Sequence, residues 1–356
     1  MEPVTHFLFG AAMGRAGLNR KTALATATLT LAAEAPDLDV FSRFGGSAFA
    51  LNHHRGFTHS FLGVPLVAAV VVAFLYLLWR LRRPKTGNPN LPPRWRLLFA
   101  YACLAGFSHI LLDFTTSYGV RPFWPFSERW ISWDIVYIAE PVLLIVLTLG
   151  LILPALFSLI NEEIGARNKN AMPHGRLAAT LALVAVFAYW GLCDYEHRRA
   201  VAALQARIYQ GADAIRVSAY PYMTNPFRWL GVVETPAFFA TMDVDSLAPE
   251  VDPEAQMQIR YKPEETPVTL AAKKTYLGRV YLSWAQYPIT ETEQLANDPV
   301  ENTRAAYVVR FRDLRYDYPG RDARAMLGAT VFLTRDLQVV EERFGMGTRR
   351  HSRNRE

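Results

Sequence analysis

Residues 61–79 read FLGVPLVAAVVVAFLYLLW, a run of nineteen residues without a charged side chain. As a helix, a run of this length can cross the hydrocarbon core of a bilayer, which is about 30 Å thick. Since a bilayer accepts only helices or closed barrels, and this run is apolar without alternation, it predicts a membrane-spanning helix. Three further apolar runs predict spans of the same kind, at residues 97–112, 135–160 and 177–193. A large soluble helical core is the alternative.

Two shorter apolar segments precede the first span, at residues 3–14 and 22–33. Each would form a helix about 18 Å long, which is shorter than a bilayer is thick. They predict two short helices, which either form a hairpin against the other helices or span with the help of their polar flanks.

The basic residues indicate how the chain crosses the membrane. The 38 Lys and Arg against 32 Asp and Glu give a net charge of +6, which would suit a nucleic-acid partner. However, twelve of the sixteen basic residues before position 194 lie in segments 14–21, 80–96 and 161–176. Because basic loops stay in the cytoplasm, segments 34–60 and 113–134 are expected outside it, together with everything after the last span. The charge is therefore interpreted as a topology signal, and no nucleic-acid partner is expected.

The chain after residue 193 has a different pattern. A charged helical stretch at residues 196–206 leads into short segments rich in Val, Tyr, Phe and Trp, separated by Pro, Gly, Asn and Asp. This spacing is typical of an antiparallel sandwich or barrel. The fold class predicted is an α-helical polytopic membrane domain, residues 1–193, followed by a soluble β-rich (α+β) domain, residues 194–356. The strands are predicted at residues 228–234, 236–244, 275–284, 306–314 and 329–334.

Histidines and carboxylates collect on the predicted outer side. Because the topology was drawn from Lys and Arg alone, this grouping is an independent observation. Ionisable groups at membrane depth are costly and usually functional. They comprise His6, His53, His54, His59 and His109, with Glu34, Asp37, Asp39, Asp113, Asp134 and Glu140.

Three local patterns within this group point to a metal. His109 and Asp113 are four residues apart, so on a helix both can reach one cation, although a hydrogen bond between them is the alternative. Pro36 ends a helix beside Asp37 and Asp39, which otherwise read as an acidic helix cap. Residues 52–60, NHHRGFTHS, hold three histidines, and their arginine is a forked donor suited to phosphate or carboxylate.

Imidazole and carboxylate together suit zinc, with manganese or iron as alternatives. A proton relay in a transporter would also use His and Asp at membrane depth. Against a relay, these residues cluster at one end of the spans, without a comparable chain of polar residues reaching the other side.

The motifs resemble those of the bacterial YdjM-type inner-membrane, metal-dependent hydrolases. They are His6 in THFLFG, PDLD at residues 36–39, HRGFTHS at residues 54–60, and His109 with Asp113. The later strand-rich part resembles the extension of longer members. That family is distantly similar to zinc-dependent phospholipase C and the single-strand nucleases, which implies zinc ligands on this chain, with Asp113 bridging metals. The implied ligands are His6, Asp37 or Asp39, His54 or His59, His109 and Asp113.

The resemblance is incomplete at one point. The soluble enzymes continue with further histidine ligands, whereas the next histidine here is His174, in a predicted cytoplasmic loop. Asp134 and Glu140 are the candidates to replace them, and a site with fewer metals is the alternative.

These features predict a membrane-bound metal-dependent hydrolase in the bacterial inner membrane, with an extracytoplasmic C-terminal domain. A metal-activated water would attack a phosphoester, most simply a phospholipid or a lipid-linked phosphate at the outer membrane face. Arg55 would hold the anionic group, and a carboxylate among Asp37, Asp39 and Glu34 would take the proton. The alternatives are a non-catalytic envelope protein with a structural metal and a proton-coupled transporter.

Overall fold

The computed structural model describes residues 1–82, 91–163, 174–248, 250–253, 255–295, 305–318 and 327–345. Its N-terminal half is helical and its C-terminal half contains two antiparallel sheets, which confirms the predicted fold class. The α-helices of the described residues are α1 (Pro3–Arg15), α2 (Ala25–Glu34), α3 (Ser47–His53), α4 (Gly63–Arg82), α5 (Trp95–Phe114), α6 (Pro141–Glu163), α7 (His174–Gln205), α8 (Pro267–Lys274) and α9 (Tyr276–Trp284). Short 3-10 helices connect several of them.

Among the described residues, three helices are long and apolar enough to cross a membrane: Gly63–Leu81, Trp95–Phe114 and Gly175–Gln205. A shorter apolar helix covers Pro141–Phe157. All four coincide with predicted spans, with two differences in their bounds. Helix α6 begins only at Pro141, because proline suits the first helical turn and keeps the residue before it out of the helix. Helix α7 runs unbroken through the boundary predicted at residue 193, into the second half of the chain.

Helices α1 and α2 form an antiparallel hairpin that packs against α5, α6 and α7. Two glycines allow the close approach of this pair. A Cβ at Gly10 would lie 2.7 Å from the carbonyl oxygen of Leu29, and one at Gly14 would lie 2.7 Å from Oγ1 of Thr26. The hairpin brings the N-terminal segment to the end of α5, where the predicted ligands lie.

The described residues of the C-terminal half form two sheets of antiparallel strands. The strands are β1 (Arg216–Tyr222), β2 (Asn225–Glu234), β3 (Phe238–Asp245), β4 (Glu250–Val251), β5 (Gln258–Tyr261), β6 (Pro288–Gln294), β7 (Tyr307–Asp313), β8 (Ala329–Leu333) and β9 (Val339–Phe344). In the first sheet the order is β1-β2-β3-β4, with β5 paired to β3, and in the second it is β6-β7-β8-β9. Apolar side chains of both sheets meet in one buried cluster.

The strand predicted at residues 275–284 is wrong, because residues 276–284 form helix α9. Thr275 caps this helix by accepting a hydrogen bond from the backbone N–H of Gly278 at 3.0 Å. Leu277, Tyr281 and Trp284 recur at helical spacing and are buried in the core of the second sheet. The aromatic and β-branched residues that suggested a strand therefore line one face of a helix.

The C-terminal half is anchored on the loop that follows α5. Arg315 donates from Nη1 to the carbonyl oxygen of Ser117 at 2.6 Å, and Trp284 donates from Nε1 to that of Tyr118 at 3.1 Å. Both side chains are fully buried. The second sheet is thereby held beside the end of α5.

Candidate metal centre

Two histidines and two aspartates converge at the end of α5. One ligand atom from each of Asp37, His59, His109 and Asp113 lies within 4.8 Å of all the others. His59 Nε2 lies 3.0 Å from His109 Nε2 and 3.3 Å from Asp113 Oδ2. The side chains of His59, His109 and Asp113 are fully buried, whereas that of Asp37 is 23% exposed. The cluster is therefore closed by protein on most sides and approachable at Asp37.

Local structure places each of these four side chains. His109 and Asp113 occupy one face of α5, with Nε2 and Oδ2 3.4 Å apart, as their spacing predicted. Nδ1 of His109 lies 2.6 Å from the carbonyl oxygen of Ala33, so it donates there and Nε2 is left facing the cluster. Asp37 comes from the 3-10 helix Ala35–Gly45, and His59 ends the 3-10 helix Phe57–His59.

His6 lies against this cluster and has unsatisfied nitrogens. Its ring is fully buried and stacked on that of His109, with the centroids 3.7 Å apart, and Nε2 is 3.5 Å from Asp113 Oδ1. Within the described residues, neither nitrogen of His6 nor Oδ2 of Asp113 has a hydrogen-bond partner. Burying such groups unpaired is costly, so a divalent cation that these atoms coordinate fits the site. The amino group of Met1 also contacts Oδ1 of Asp113.

Asp39 and His54 form a hydrogen-bonded pair beside the four-residue cluster. Asp39 Oδ1 lies 3.1 Å from Nδ1 of His54, and Oδ2 accepts from the backbone N–H of Arg55 at 2.7 Å. Burial alone would raise the pKa of Asp39, but the hydrogen bond and charge of His54 outweigh burial and lower it. His54 thus lies outside the cluster of four, and its role as a ligand stays a prediction.

Arg55 contacts the cluster directly. It is buried, donates from Nη2 to Asp113 Oδ1 at 2.7 Å and from Nη1 to the carbonyl oxygen of Gly119 at 2.8 Å. Its guanidinium also lies over the ring of Tyr118, 4.7 Å from the centroid. Its backbone has φ of 52°, a left-handed conformation that the hydrogen bond from its N–H to Asp39 helps to hold.

A cavity of about 710 Å³, which is the size of a small-molecule site, opens beside the cluster at Asp37. Its polar side includes four of the predicted site residues. Its apolar side includes Leu327 and Phe344 of the C-terminal half, for which the sequence offered no signal. The polar lining includes Asp37, Asp39, His54 and Arg55, and the apolar lining includes Leu51, Tyr118, Ile138, Leu327 and Phe344.

Asp134 and Glu140 lie outside the cluster. Glu140 accepts from the backbone N–H of Val142 at 3.2 Å and from that of Thr224 at 3.3 Å, so it joins the start of α6 to the C-terminal half. Burial raises the pKa of Asp134 to about 6. Glu34 does not line the cavity, and burial together with the charge of Asp37 raises its pKa to about 7.

Comparison with known proteins agrees with the sequence motifs. The family model described as YdjM inner membrane protein matches residues 1–200. The chain is 28% identical over 153 residues to the uncharacterized protein YfhP of Bacillus subtilis (strain 168), a match that covers 41% of this chain and 43% of that protein. The chain thus spans less than half the length of this relative. No solved structure matches the chain significantly.

Proposed function

Because this chain belongs to the YdjM inner membrane protein family, we propose that it is a membrane-bound, metal-dependent hydrolase that cleaves phosphoesters at the membrane surface. The observation that carries the proposal is the buried cluster of two histidines and two aspartates, which one of its members, Asp37, connects to an open cavity. A phospholipid or a lipid-linked phosphate suits a site built at the end of an apolar helix. The cavity and the cluster together favour catalysis over a purely structural metal.

The residues that would hold the metal are Asp37, His59, His109 and Asp113, with His6 beside them. A set of imidazoles and carboxylates suits zinc. When bound, such a cation supplies a Lewis acid and an acidified water.

Arg55 would bind the anionic group of the substrate. Its guanidinium is buried, lines the cavity and is held by Asp113 and Gly119, so its orientation is set before a ligand arrives. A guanidinium matches two oxygens of a phosphate at once, which a lysine ammonium does not.

His54, oriented by Asp39, would take a proton from the attacking water and pass it to the leaving oxygen. Asp39 Oδ1 accepts a hydrogen bond from the Nδ1–H of His54, which leaves Nε2 as the basic nitrogen. The side chain of His54 lines the cavity and is 33% exposed, so a water and a leaving oxygen can reach it. Both oxygens of Asp39 are already hydrogen-bonded, so the carboxylate serves to position His54.

The proposal is tested by His54→Gln in protein purified in detergent and loaded with zinc. The substrates are a chromogenic phosphodiester and a phospholipid. Loss of a general base should lower kcat by about 10²- to 10⁴-fold, with the bound metal unchanged. The matched control is His53→Gln, because His53 is exposed and its Nδ1 bonds to the carbonyl oxygen of Phe49, away from the cluster.

Two results would count against the proposal. Unaltered protein that holds stoichiometric metal but turns over neither substrate would indicate a structural metal. Full activity in His54→Gln would show that His54 does not act as the general base.

A further inference from the structure

Large apolar side chains are left uncovered at the mouth of the cavity. The 3-10 helix Ala35–Gly45 carries Asp37 and Asp39 toward the site and leaves several large apolar side chains exposed. Phe44 is 90% exposed, and Leu38, Val40 and Phe41 are also exposed. Such a concentration on one short helix is unusual for a surface that faces water and marks an interaction surface.

A second uncovered aromatic group combines residues just before α4 with residues of the loop after α5. Before α4, Phe57 and Phe61 are exposed; after α5, Phe123 is exposed and Phe126 is 87% exposed. Ring contacts join the two segments, with the centroids of Phe61 and Phe123 5.5 Å apart. Phe57 packs edge-on against Trp124 in the same way. The group therefore forms one surface that adjoins a candidate span.

Both groups continue the apolar surface of α4. The helix Ala35–Gly45 contacts α4 and the segment Phe57–His59. Helix α4 is long enough to span a membrane and exposes Leu66, Val70 and Phe74 along its length. If α4 spans the membrane, a surface that continues its lipid-facing side also contacts lipid. Aromatic side chains are favoured at the level of the lipid headgroups.

Charge at the cavity mouth fits the headgroup layer. Arg43 is exposed between Phe41 and Phe44 and lines the cavity together with Val40 and Ser42. An arginine flanked by phenylalanines can keep its guanidinium at phosphate level while its neighbours enter the acyl region. The tail of the chain is a poor alternative cover, because residues 346–356 read MGTRRHSRNRE, with a single large apolar side chain.

We propose that the helix Ala35–Gly45 and the loop at residues 122–127 insert their phenylalanines into the bilayer, so that the cavity opens at the phospholipid headgroups. The substrate then enters from the membrane, with its phosphate passing Arg43. This part of the inference rests on the proposed function, whereas the insertion itself does not.

A nitroxide at residue 44 tests the insertion. Phe44→Cys is made in a background in which Cys103 and Cys193 are replaced by alanine, and the labelled protein is reconstituted into vesicles of phosphatidylethanolamine and phosphatidylglycerol. Two well-exposed controls match each other: Val70→Cys on α4, where Val70 is 69% exposed, and Tyr261→Cys on β5, where Tyr261 is 70% exposed. A water-soluble nickel reagent is present on both sides of the membrane. We expect the label at residue 44, like that at residue 70, to collide less with nickel and more with oxygen than the label at residue 261 does.

Two outcomes would overturn the insertion. A label at 44 that meets nickel as freely as the label at 261 lies in water. A label shielded from both nickel and oxygen is covered by protein, such as a second copy of the chain.

The route of the substrate is tested by Phe41→Ser combined with Phe44→Ser. Hydrolysis of phospholipid in vesicles should fall severalfold, while hydrolysis of a soluble phosphodiester stays unchanged. Equal hydrolysis of vesicle phospholipid by both proteins would overturn the route. If unaltered protein hydrolyses neither substrate, the proposed function fails, and the label at residue 44 still decides whether the helix is inserted.

Discussion

His59 contacts every other member of the cluster. Its Nε2 lies 3.0 Å from His109 Nε2, 3.3 Å from Asp113 Oδ2 and 3.5 Å from Asp37 Oδ1. Burial alone would lower the pKa of His59, but the nearby carboxylates of Asp113 and Asp37 outweigh burial and raise it. Two imidazole nitrogens facing each other between carboxylates are the arrangement that a cation would stabilise.

Removal of this side chain should therefore abolish metal binding. In His59→Ala we expect the affinity for zinc to fall by more than about 100-fold, since even outer-shell changes cost 10- to 100-fold. Elemental analysis of the protein after dialysis against dilute zinc gives the metal content. His53→Ala is the control, because His53 stacks on Phe49 rather than joining the cluster. Equal metal in the two variants would show that the cluster does not hold the ion.

At the scale of elements, the close packing of α1 on α2 shapes the site. Helix α1 supplies His6, and α2 supplies the Ala33 carbonyl that fixes His109. Gly10 lies at their contact, where an added Cβ would also meet Cβ of Ala33 at 3.0 Å. The two helices must separate if a larger residue replaces this glycine.

Gly10→Ala should lower both stability and metal retention. Overpacking of this kind costs about 1–3 kcal/mol. Thermal unfolding in detergent, followed by metal analysis, measures both effects. Gly191→Ala on α7 is the control, because a Cβ there meets nothing within 4 Å, and we expect that variant to be at least as stable as the parent. A stable Gly10→Ala with full metal content would contradict the role given to this contact.

At the scale of the whole molecule, Asp134 lies where the two halves meet. Burial raises its pKa from 3.8 to about 6, while a hydrogen bond from Ser132 and the charge of Arg315 oppose the rise. Because the native state then holds this proton more tightly than the unfolded chain, the protonated form favours folding. The stabilisation is complete below pH 3.8 and is lost as the pH rises to about 6.

Asp134→Asn should remove this dependence of the folding stability on pH. Above the native pKa, we expect the variant to be more stable by up to about 3 kcal/mol, and at low pH the two proteins should be equal. Asparagine tolerates the φ of 61° found at this position. Denaturant unfolding across this pH range measures the difference, and a difference that is constant with pH would contradict the assignment to Asp134.

Much of the helical half could be predicted because its signals are local. Long apolar runs predict spans, Pro36 predicts the end of α2, and the spacing of His109 and Asp113 predicts a shared helix face. The prediction of a strand at residues 275–284 failed because Tyr, Val and Leu suit strands and buried helices alike. A threonine cap and packing against a core distant in the sequence make that segment a helix.

The sequence by itself therefore determined the long apolar helices, the β-rich second half and the set of residues from which a metal site would be drawn. Only the tertiary structure decided how that set divides: His59 joins Asp37, His109 and Asp113, whereas His54 pairs with Asp39 beside the cavity. It also placed Leu327 and Phe344 in the cavity wall. The reason is physical, since these contacts join residues far apart in the chain, and their distances depend on how helices and sheets pack.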